Sequence, residues 1–282
     1  MHRVQPITFQ TLLTAKDFTT SDVQIVTTQY EEDREIIPSQ FTVLSNLERS
    51  VLDVDATLTK RKLPLIGDIL QKLHEVENGD YYIFTNVDIC VQPFFYDTLQ
   101  TFIAQGHDAI IINRRRLRDD YKSVEELPLM YADRGKSHPG FDCFVFHKSL
   151  LDRFIFDEIC VGISFLEVSF IHNLLAFAKN PLYVPDAQLT FHIGMDVLVP
   201  RKQNPFYWHN RKAYFEHIEP QLKANFDLKK FPYAEEKVVI RALKHALNPS
   251  LFTKNYLRME SRNLRRSWKE KLDEWRWDFL QK

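Results

Sequence analysis

The residues with the clearest chemical potential follow a short apolar run, Tyr81 to Phe84, which predicts a buried strand. Asn86 and Asp88 come just after this run, and Pro93 then prevents further pairing in a sheet. In open α/β sheets, ligands bind at the carboxyl ends of the strands. A carboxylate there can hold a hard cation, and the cation can neutralise a diphosphate. Because asparagine and aspartate at strand ends also form turns and helix caps, a structural role stays open at this stage.

Three further polar groups of residues come close to predicted strand ends. Arg114 to Arg116 follow an apolar run and can bind phosphate oxygens, although such charge runs more often form a solvated edge. His138 to Asp142 lead into another apolar run, where Gly140 allows a close backbone approach. His192 lies in an apolar segment, where a histidine is more often a hydrogen-bonded core residue than a metal ligand. Residue type alone therefore leaves both a ligand role and a structural role open for each group.

The elements that would position these groups alternate between strand and helix over most of the chain. Strands are predicted at Pro6–Phe9, Val23–Val26, Tyr81–Phe84, Asp108–Asn113, Phe141–His147, Pro181–Val184 and Leu189–His192. Helices are predicted at Gln10–Phe18, Leu63–Val76, Phe94–Gln105 and Ser164–Ala178. This alternation is typical of an α/β fold with a mostly parallel mixed sheet flanked by helices. Because the pattern turns helical from Pro220, we expect a core domain over residues 1–219 and a helical C-terminal extension over 220–282.

The length, amino-acid composition and net charge limit the classes of protein to which the chain can belong. With 282 residues, of which 44% are hydrophobic, the chain can bury a sizeable core. The formal net charge of -1 argues against bulk attraction to nucleic acid. Cys90, Cys143 and Cys160 share no CxxC spacing and lie in apolar settings, which indicates reduced core thiols. The sequence contains neither an apolar signal region nor a segment suited to span a membrane, so we expect a soluble, cytoplasmic protein.

The order of these parts resembles that of the nucleotide-diphospho-sugar transferases, glycosyltransferases with the Rossmann-like GT-A fold. Thr85-Asn-Val-Asp-Ile89 resembles their Asp-x-Asp motif, with Asn86 in place of the first acid. Many members also carry a metal-binding histidine on a late strand, and Thr190-Phe-His-Ile-Gly194 is similar to that segment. The resemblance implies that Asp88 and His192 hold a divalent cation, Mn²⁺ or Mg²⁺, at the donor's diphosphate. Asn86 brings no charge but can accept a hydrogen bond from a ribose hydroxyl.

The resemblance covers Val4 to Arg201 and also implies where the nucleotide-sugar donor binds. Lys62, together with Arg61, precedes the central strand and is a candidate for phosphate binding. The complete set of residues assigned to the donor is Thr8, Phe9, Lys62, Thr85, Asn86 and Arg114.

Catalysis in the inverting members of this family uses a carboxylate near the start of a helix behind the acceptor pocket, where it acts as general base. Glu167, in Gly162-Ile-Ser-Phe-Leu-Glu167, holds a matching place in chain order, and its apolar neighbours would raise its pKa. A glutamate near a helix N-terminus is also favoured by the helix dipole alone. Asp142 is the competing candidate, which we interpret as an acceptor- or sugar-binding group and, as the lesser option, as the catalytic base.

These assignments imply an inverting, metal-assisted glycosyltransferase. It would move a sugar from a nucleoside-diphosphate sugar to a hydroxyl acceptor, which is a glycan, a lipid-linked acceptor or a small molecule. The alternative is a catalytically impaired nucleotide-sugar-binding or scaffold protein, because Asn86 lacks the acid of the motif. An enzyme that makes the sugar nucleotide is disfavoured, since such enzymes need a glycine-rich N-terminal loop and residues 1–20 contain no glycine.

The predicted C-terminal helix, Tyr256 to Leu280, combines basic residues with tryptophans. Such a helix suits an anionic membrane surface, which would make the protein membrane-peripheral. It also suits packing of the tryptophans on the domain or on a second subunit, which would make a homodimer. Acidic residues dilute its positive face, so packing is favoured over the membrane; they are Glu260, Glu270, Asp273, Glu274 and Asp278.

Overall fold

The structure is a computed structural model that describes residues 4–194 and 204–247, together with Ser261, Leu264, Arg265, Trp268, Lys269, Lys271 and Leu272. The strands are β1 (Val26–Thr27), β2 (Thr42–Val43), β3 (Tyr81–Thr85), β4 (Ile89–Val91), β5 (Ala109–Leu117), β6 (Lys136–His147), β7 (Pro181–Val184) and β8 (Thr190–Ile193). The helices are α1 (Val4–Phe18), α2 (Val51–Val54), α3 (Ile66–Gln71), α4 (Phe95–Ala104), α5 (Leu127–Ala132), α6 (Leu166–Phe177), α7 (Pro205–Lys212), α8 (Glu219–Leu222) and α9 (Val238–Leu247).

The larger sheet has the strand order β3-β6-β5-β8-β4, with β7 also paired to β5. The fold is therefore α/β with a mixed sheet flanked by helices, as predicted. The balance of strand directions differs from the prediction of a mostly parallel sheet. β5 pairs in parallel with β7 and β8, whereas β3–β6, β5–β6 and β4–β8 are antiparallel. The reason is that the chain returns after β5 directly alongside it as β6, without a crossover that would restore a parallel direction.

The core beneath the sheet is organised around α6, whose residues are buried almost all round. Phe170 at its centre is fully buried, and its ring stacks on Phe144 of β6 at 4.5 Å and on Phe84 of β3 at 5.0 Å between ring centroids. Large aromatic rings bury much apolar surface and gain further from such stacking. This contact ties α6 to the strand end that carries Asn86.

The N-terminal segment differs from the prediction of an extended Pro6–Phe9, because residues 4–18 form one continuous helix, α1. Proline is compatible with a first helical turn, where its missing N–H would have no partner. Ile7, Thr11 and Ala15 repeat at helical spacing and are buried. The predicted helix from Gln10 to Phe18 is therefore confirmed, and it begins six residues earlier than expected.

The three cysteines are confirmed as buried free thiols. Burial raises the pKa of Cys90 and of Cys160 to about 12, and it also raises the pKa of Cys143. Such thiols stay protonated and unreactive at neutral pH.

Residues beyond position 219 take part in the main core, where Leu222, Leu228 and Phe231 belong to the same hydrophobic cluster as α6. The division of the chain at residue 219 stays a prediction. Most of the predicted helix from Tyr256 to Leu280 lies outside the described residues, and Trp268, which is described, is 69% exposed. In the described ranges of the chain, no helix has the length and apolar character needed to cross a bilayer.

Candidate functional site

One cavity of about 2590 Å³ brings the sequence-predicted site residues together. It is bordered by α1, by the ends of β1 and β3, and by the loop before α6. Every one of the predicted site residues lines it: Thr8, Phe9, Lys62, Thr85, Asn86, Asp88, Arg114, Asp142, Glu167 and His192.

Asp88 and His192 are brought together by the pairing of β4 with β8. Ile89, the first residue of β4, lies opposite His192 in this antiparallel ladder. Asp88 immediately precedes Ile89, and its Oδ2 atom lies 3.3 Å from Nε2 of His192. Burial alone would raise the pKa of Asp88, but the hydrogen bond and charge of His192, together with the charge of Arg114, outweigh it and lower that pKa. The carboxylate is therefore held in its charged form.

The imidazole of His192 lies between two oxygen acceptors. Its Nδ1 atom is 3.3 Å from the carbonyl oxygen of Gly194, and its Nε2 atom faces the Asp88 carboxylate. A neutral imidazole carries one N–H, so it can donate to only one of these oxygens. The tautomer with the proton on Nδ1 donates to Gly194 and turns a lone pair of Nε2 toward the carboxylate, whereas the tautomer with the proton on Nε2 donates to the carboxylate.

A divalent cation fits this pair chemically, since carboxylate oxygen and imidazole nitrogen are both ordinary ligands of such ions. Among the described residues, no cluster of three or more histidine, cysteine or acidic side chains is placed to hold a metal. Asp88 and His192 would thus supply two ligands, and phosphate oxygens and water would supply the others.

Asn86 and Asp142 lie next to the last residue pair of the β3–β6 ladder. The register pairs Thr85 with Cys143, so the residues that follow and precede them face each other. The Asn86 amide Nδ2 donates to Oδ1 of Asp142 at 3.4 Å, and Nη1 of Arg114 forms an ion pair with Asp142, 2.8 Å from its Oδ2. The Arg114 and Asp142 side chains are 8% and 6% exposed. The buried carboxylate is therefore paired with a buried guanidinium. Asp142 lines the cavity, and its role as an acceptor- or sugar-binding group, or as a base, stays a prediction.

The arginine run is part of β5 and does not follow it, so its side chains alternate between faces. Arg114 and Arg116 line the cavity, whereas Arg115 forms an ion pair with Asp186 away from it. Arg116 lies opposite His192 in the parallel β5–β8 ladder. Within the ranges that the structure describes, Arg116 forms no ion pair. The sequence prediction considered the whole run for phosphate binding and assigned Arg114 to the donor. Strand alternation could have added Arg116, which lies two residues along on the same face.

Glu167 is half-buried in the first turn of α6. The loop before it is sharply bent, with φ of 77° at Gly162 and 82° at Phe165. The second value lies in the left-handed region, which is costly for a bulky side chain and needs support from its surroundings. Asn210 of α7 supplies such support, since its Nδ2 atom donates to the carbonyl oxygens of Cys160 at 2.9 Å and of Ser164 at 3.2 Å.

The remaining predicted donor-binding residues have structural partners within the fold. The Thr8 hydroxyl donates to the carbonyl oxygen of Val4 inside α1, at 3.3 Å. Lys62 lies in the connection before α3, where its Nζ atom is 2.7 Å from Oε1 of Glu32 and 3.8 Å from the centroid of the Tyr30 ring. Tyr30 lines the same cavity and was not predicted from the sequence.

Phe9 packs edge-on against Phe41, with 5.1 Å between the ring centroids. Both rings line the cavity, and together they form part of its apolar wall. The roles of Thr8, Phe9 and Lys62 in donor binding stay predictions.

Comparison with known proteins gives matches among solved structures. No protein-family model matches the chain, and no curated protein matches it. S. aureus TarS 1–349 in complex with UDP-GlcNAc has a TM-score of 0.43 and 11% identity, over 84% of this chain and 73% of that chain. M. tuberculosis glucosyl-3-phosphoglycerate synthase has a TM-score of 0.44 and 14% identity, over 76% of this chain and 77% of that chain. The chain is similar to each of these two structures over three quarters or more of its length.

Proposed function

We propose that the protein is a glycosyltransferase that moves a sugar from a nucleoside-diphosphate sugar to a hydroxyl acceptor. The observation that carries this proposal is the approach of Asp88 to His192, 3.3 Å apart in the large cavity, with Arg116 opposite His192 on the neighbouring strand. A carboxylate and an imidazole suit a divalent cation, and an adjacent arginine suits the phosphate groups that such a cation binds.

Asp88 and His192 would hold Mn²⁺ or Mg²⁺. When bound, the cation supplies positive charge that stabilises the departing diphosphate. Arg116 binds the same diphosphate through its guanidinium group, which presents several N–H donors in a fixed plane. The Asn86 Oδ1 atom, which is buried and accepts no hydrogen bond from a described residue, accepts one from a donor hydroxyl.

Glu167 would act as the general base. Its carboxylate takes the proton of the acceptor hydroxyl as the acceptor oxygen forms a bond to the anomeric carbon. The bond from that carbon to the diphosphate oxygen breaks in the same step, and the electron pair leaves with the nucleoside diphosphate. A single displacement of this kind inverts the anomeric configuration. The bent loop from Gly162 to Phe165, anchored by Asn210, fixes the start of α6 and thus the position of Glu167.

A binding or scaffold protein without turnover is the second candidate. The observation that favours it is Asn86, an uncharged residue where the related motif has an acid. Such a protein would bind nucleotide sugars in the same cavity and leave them intact.

Slow hydrolysis of the donor, with water as acceptor, separates these two functions. The protein is incubated with UDP-glucose, UDP-N-acetylglucosamine and GDP-mannose in the presence of Mn²⁺, and free sugar and nucleoside diphosphate are quantified. We expect at least one donor to be hydrolysed, and chelation of the metal to stop the reaction. Binding without hydrolysis would favour the scaffold, and neither binding nor hydrolysis would contradict both candidates. The variants tested below that lose a negative charge need a matched control. Asp152→Asn serves as that control, because Asp152 is exposed and does not line the cavity.

A further inference from the structure

Asn86 occupies a position where the surroundings require a neutral side chain. It follows the last residue pair of the β3–β6 ladder, and the carboxylate of Asp142 accepts a hydrogen bond from its amide at 3.4 Å. An aspartate at position 86 would set a second carboxylate against the first. Two negative charges at such a distance inside a protein repel each other strongly.

The negative charge that is missing at position 86 is present at position 142. The Asp142 carboxylate is buried and is fixed by Arg114, with 2.8 Å between Nη1 and Oδ2. The strand end therefore carries Asp88 and one further acid, and that acid comes from β6, where the family-like motif would have it on β3.

The hydrogen bond to Asp142 also fixes the orientation of the Asn86 amide. Because Nδ2 donates to the carboxylate, Oδ1 is turned to the other side, where it is buried without a hydrogen-bond donor from the described residues. The Oγ1 atom of the neighbouring Thr85 is also buried without a hydrogen-bond partner among the described residues. Buried polar atoms are costly to leave unpaired. Asn86 lines the cavity, so a hydroxyl group of a bound molecule can satisfy its Oδ1 atom.

We propose that Asp142 is a positioning residue that replaces the acid absent at Asn86, and that the Arg114–Asp142–Asn86 chain orients the Asn86 amide toward a hydroxyl group of the nucleotide-sugar donor. The donor part of this inference rests on the proposed function, whereas the exchange of charge between positions 86 and 142 does not. It follows that restoring an acid at position 86 weakens the site unless the acid at position 142 is removed at the same time.

A reciprocal exchange tests the charge relationship without any donor. The melting temperature is measured for the wild-type chain, for Asn86→Asp, for Asp142→Asn and for the double variant, with Asp152→Asn as control. We expect each single variant to lose roughly 5 °C or more, because a buried charge is left repelled or unpaired. The double variant should recover at least half of the summed loss. Additive losses would show that the two positions are independent and would overturn the proposal.

A second experiment tests the role of Asn86 in donor binding. The affinities of the same proteins for UDP-glucose and for GDP-mannose are measured by calorimetry in the presence of Mn²⁺. We expect each single variant to bind the better of these probes about tenfold more weakly, as loss of one well-placed hydrogen bond predicts. The double variant should recover most of that affinity. Asn86→Asp with wild-type or tighter binding would contradict the proposal.

Two further outcomes are decisive. If the wild-type chain binds neither probe while the melting temperatures show coupling, the charge exchange holds and the donor role of Asn86 is rejected with the proposed function. If Asn86→Asp does not fold, the coupling is measured with Asn86→Ala, Asp142→Asn and their combination. Additive losses in that set would overturn the proposal equally.

Discussion

The Asp88 carboxylate lies 3.3 Å from Nε2 of His192 because β4 and β8 pair side by side at the edge of the sheet. This pairing converts two residues that are far apart in the chain into a single polar site inside a large cavity. His192 also faces the Gly194 carbonyl through its other ring nitrogen. The pair therefore places a carboxylate oxygen beside an imidazole nitrogen among the residues that line the cavity.

Replacement of Asp88 by asparagine is expected to abolish metal-dependent donor hydrolysis, since the site loses its charged oxygen ligand. The fold should stay cooperative, because Asp88 is partly exposed at a turn. Hydrolysis of the donor and a thermal melt check both expectations on the same preparation. Full Mn²⁺-dependent activity in Asp88→Asn would remove Asp88 from this role.

Replacement of Glu167 by glutamine is expected to lower the turnover by about 10²–10⁴-fold, the usual contribution of a general base. Donor affinity should change little, so the loss should fall on kcat and not on KM. Proton NMR of the freshly released sugar gives a separate check, since a single displacement inverts the anomeric centre. Retention of the donor's configuration would exclude Glu167 as base, whatever the variant did.

Replacement of Arg116 by glutamine is expected to weaken donor binding about tenfold, because a charge-assisted hydrogen bond to phosphate is lost. Arg115→Gln is the matched control, since its side chain pairs with Asp186 and does not line the cavity. That variant should lose stability and keep its donor affinity. Calorimetry with UDP-glucose and GDP-mannose distinguishes the two variants, and equal affinities for Arg116→Gln and the wild-type chain would contradict the assignment.

Much of this arrangement follows from local sequence patterns. The run from Tyr81 to Phe84 predicts β3, and the polar residues after it predict a ligand site at the end of that strand. The strand and the polar residues both line the cavity. The position of His192 on a late strand can also be predicted from the sequence, because the residues around it are apolar. Such features depend on short stretches of chain, where periodicity is informative.

Pairing between distant strands could not be read from the sequence. The partnership of Asn86 with Asp142, and of Arg114 with Asp142, depends on β6 returning antiparallel between β3 and β5. The prediction of a mostly parallel sheet missed this return. The prediction of an extended segment at Pro6–Phe9 was wrong because it used only the β-branched residues of that short stretch. Burial of Ile7, Thr11 and Ala15 on one face of a helix stabilises the helical conformation instead.

Replacement of Phe170 by alanine is expected to destabilise the fold by about 3–5 kcal/mol, the usual cost of removing a buried phenylalanine ring. Its ring contacts Phe84, Phe144 and Phe156, with centroid distances of 5.0, 4.5 and 4.8 Å. Chemical denaturation measures the loss, and Phe170→Leu should lose less because it leaves a smaller void. A loss below about 1 kcal/mol for the alanine variant would show that the cluster can collapse around the void.

The central claim is that Asp88 and His192 hold a divalent cation on which nucleotide-sugar binding depends. Calorimetric titration of UDP-glucose, UDP-N-acetylglucosamine and GDP-mannose into the chain, first with Mn²⁺ and then with a chelator, tests it most directly. At least one donor should bind with Mn²⁺ and lose affinity about tenfold or more without it, as removal of a charged phosphate contact predicts. The same loss should appear with Mn²⁺ in His192→Ala. Equal affinity with and without the metal, or in His192→Ala and the wild-type chain, would contradict the claim.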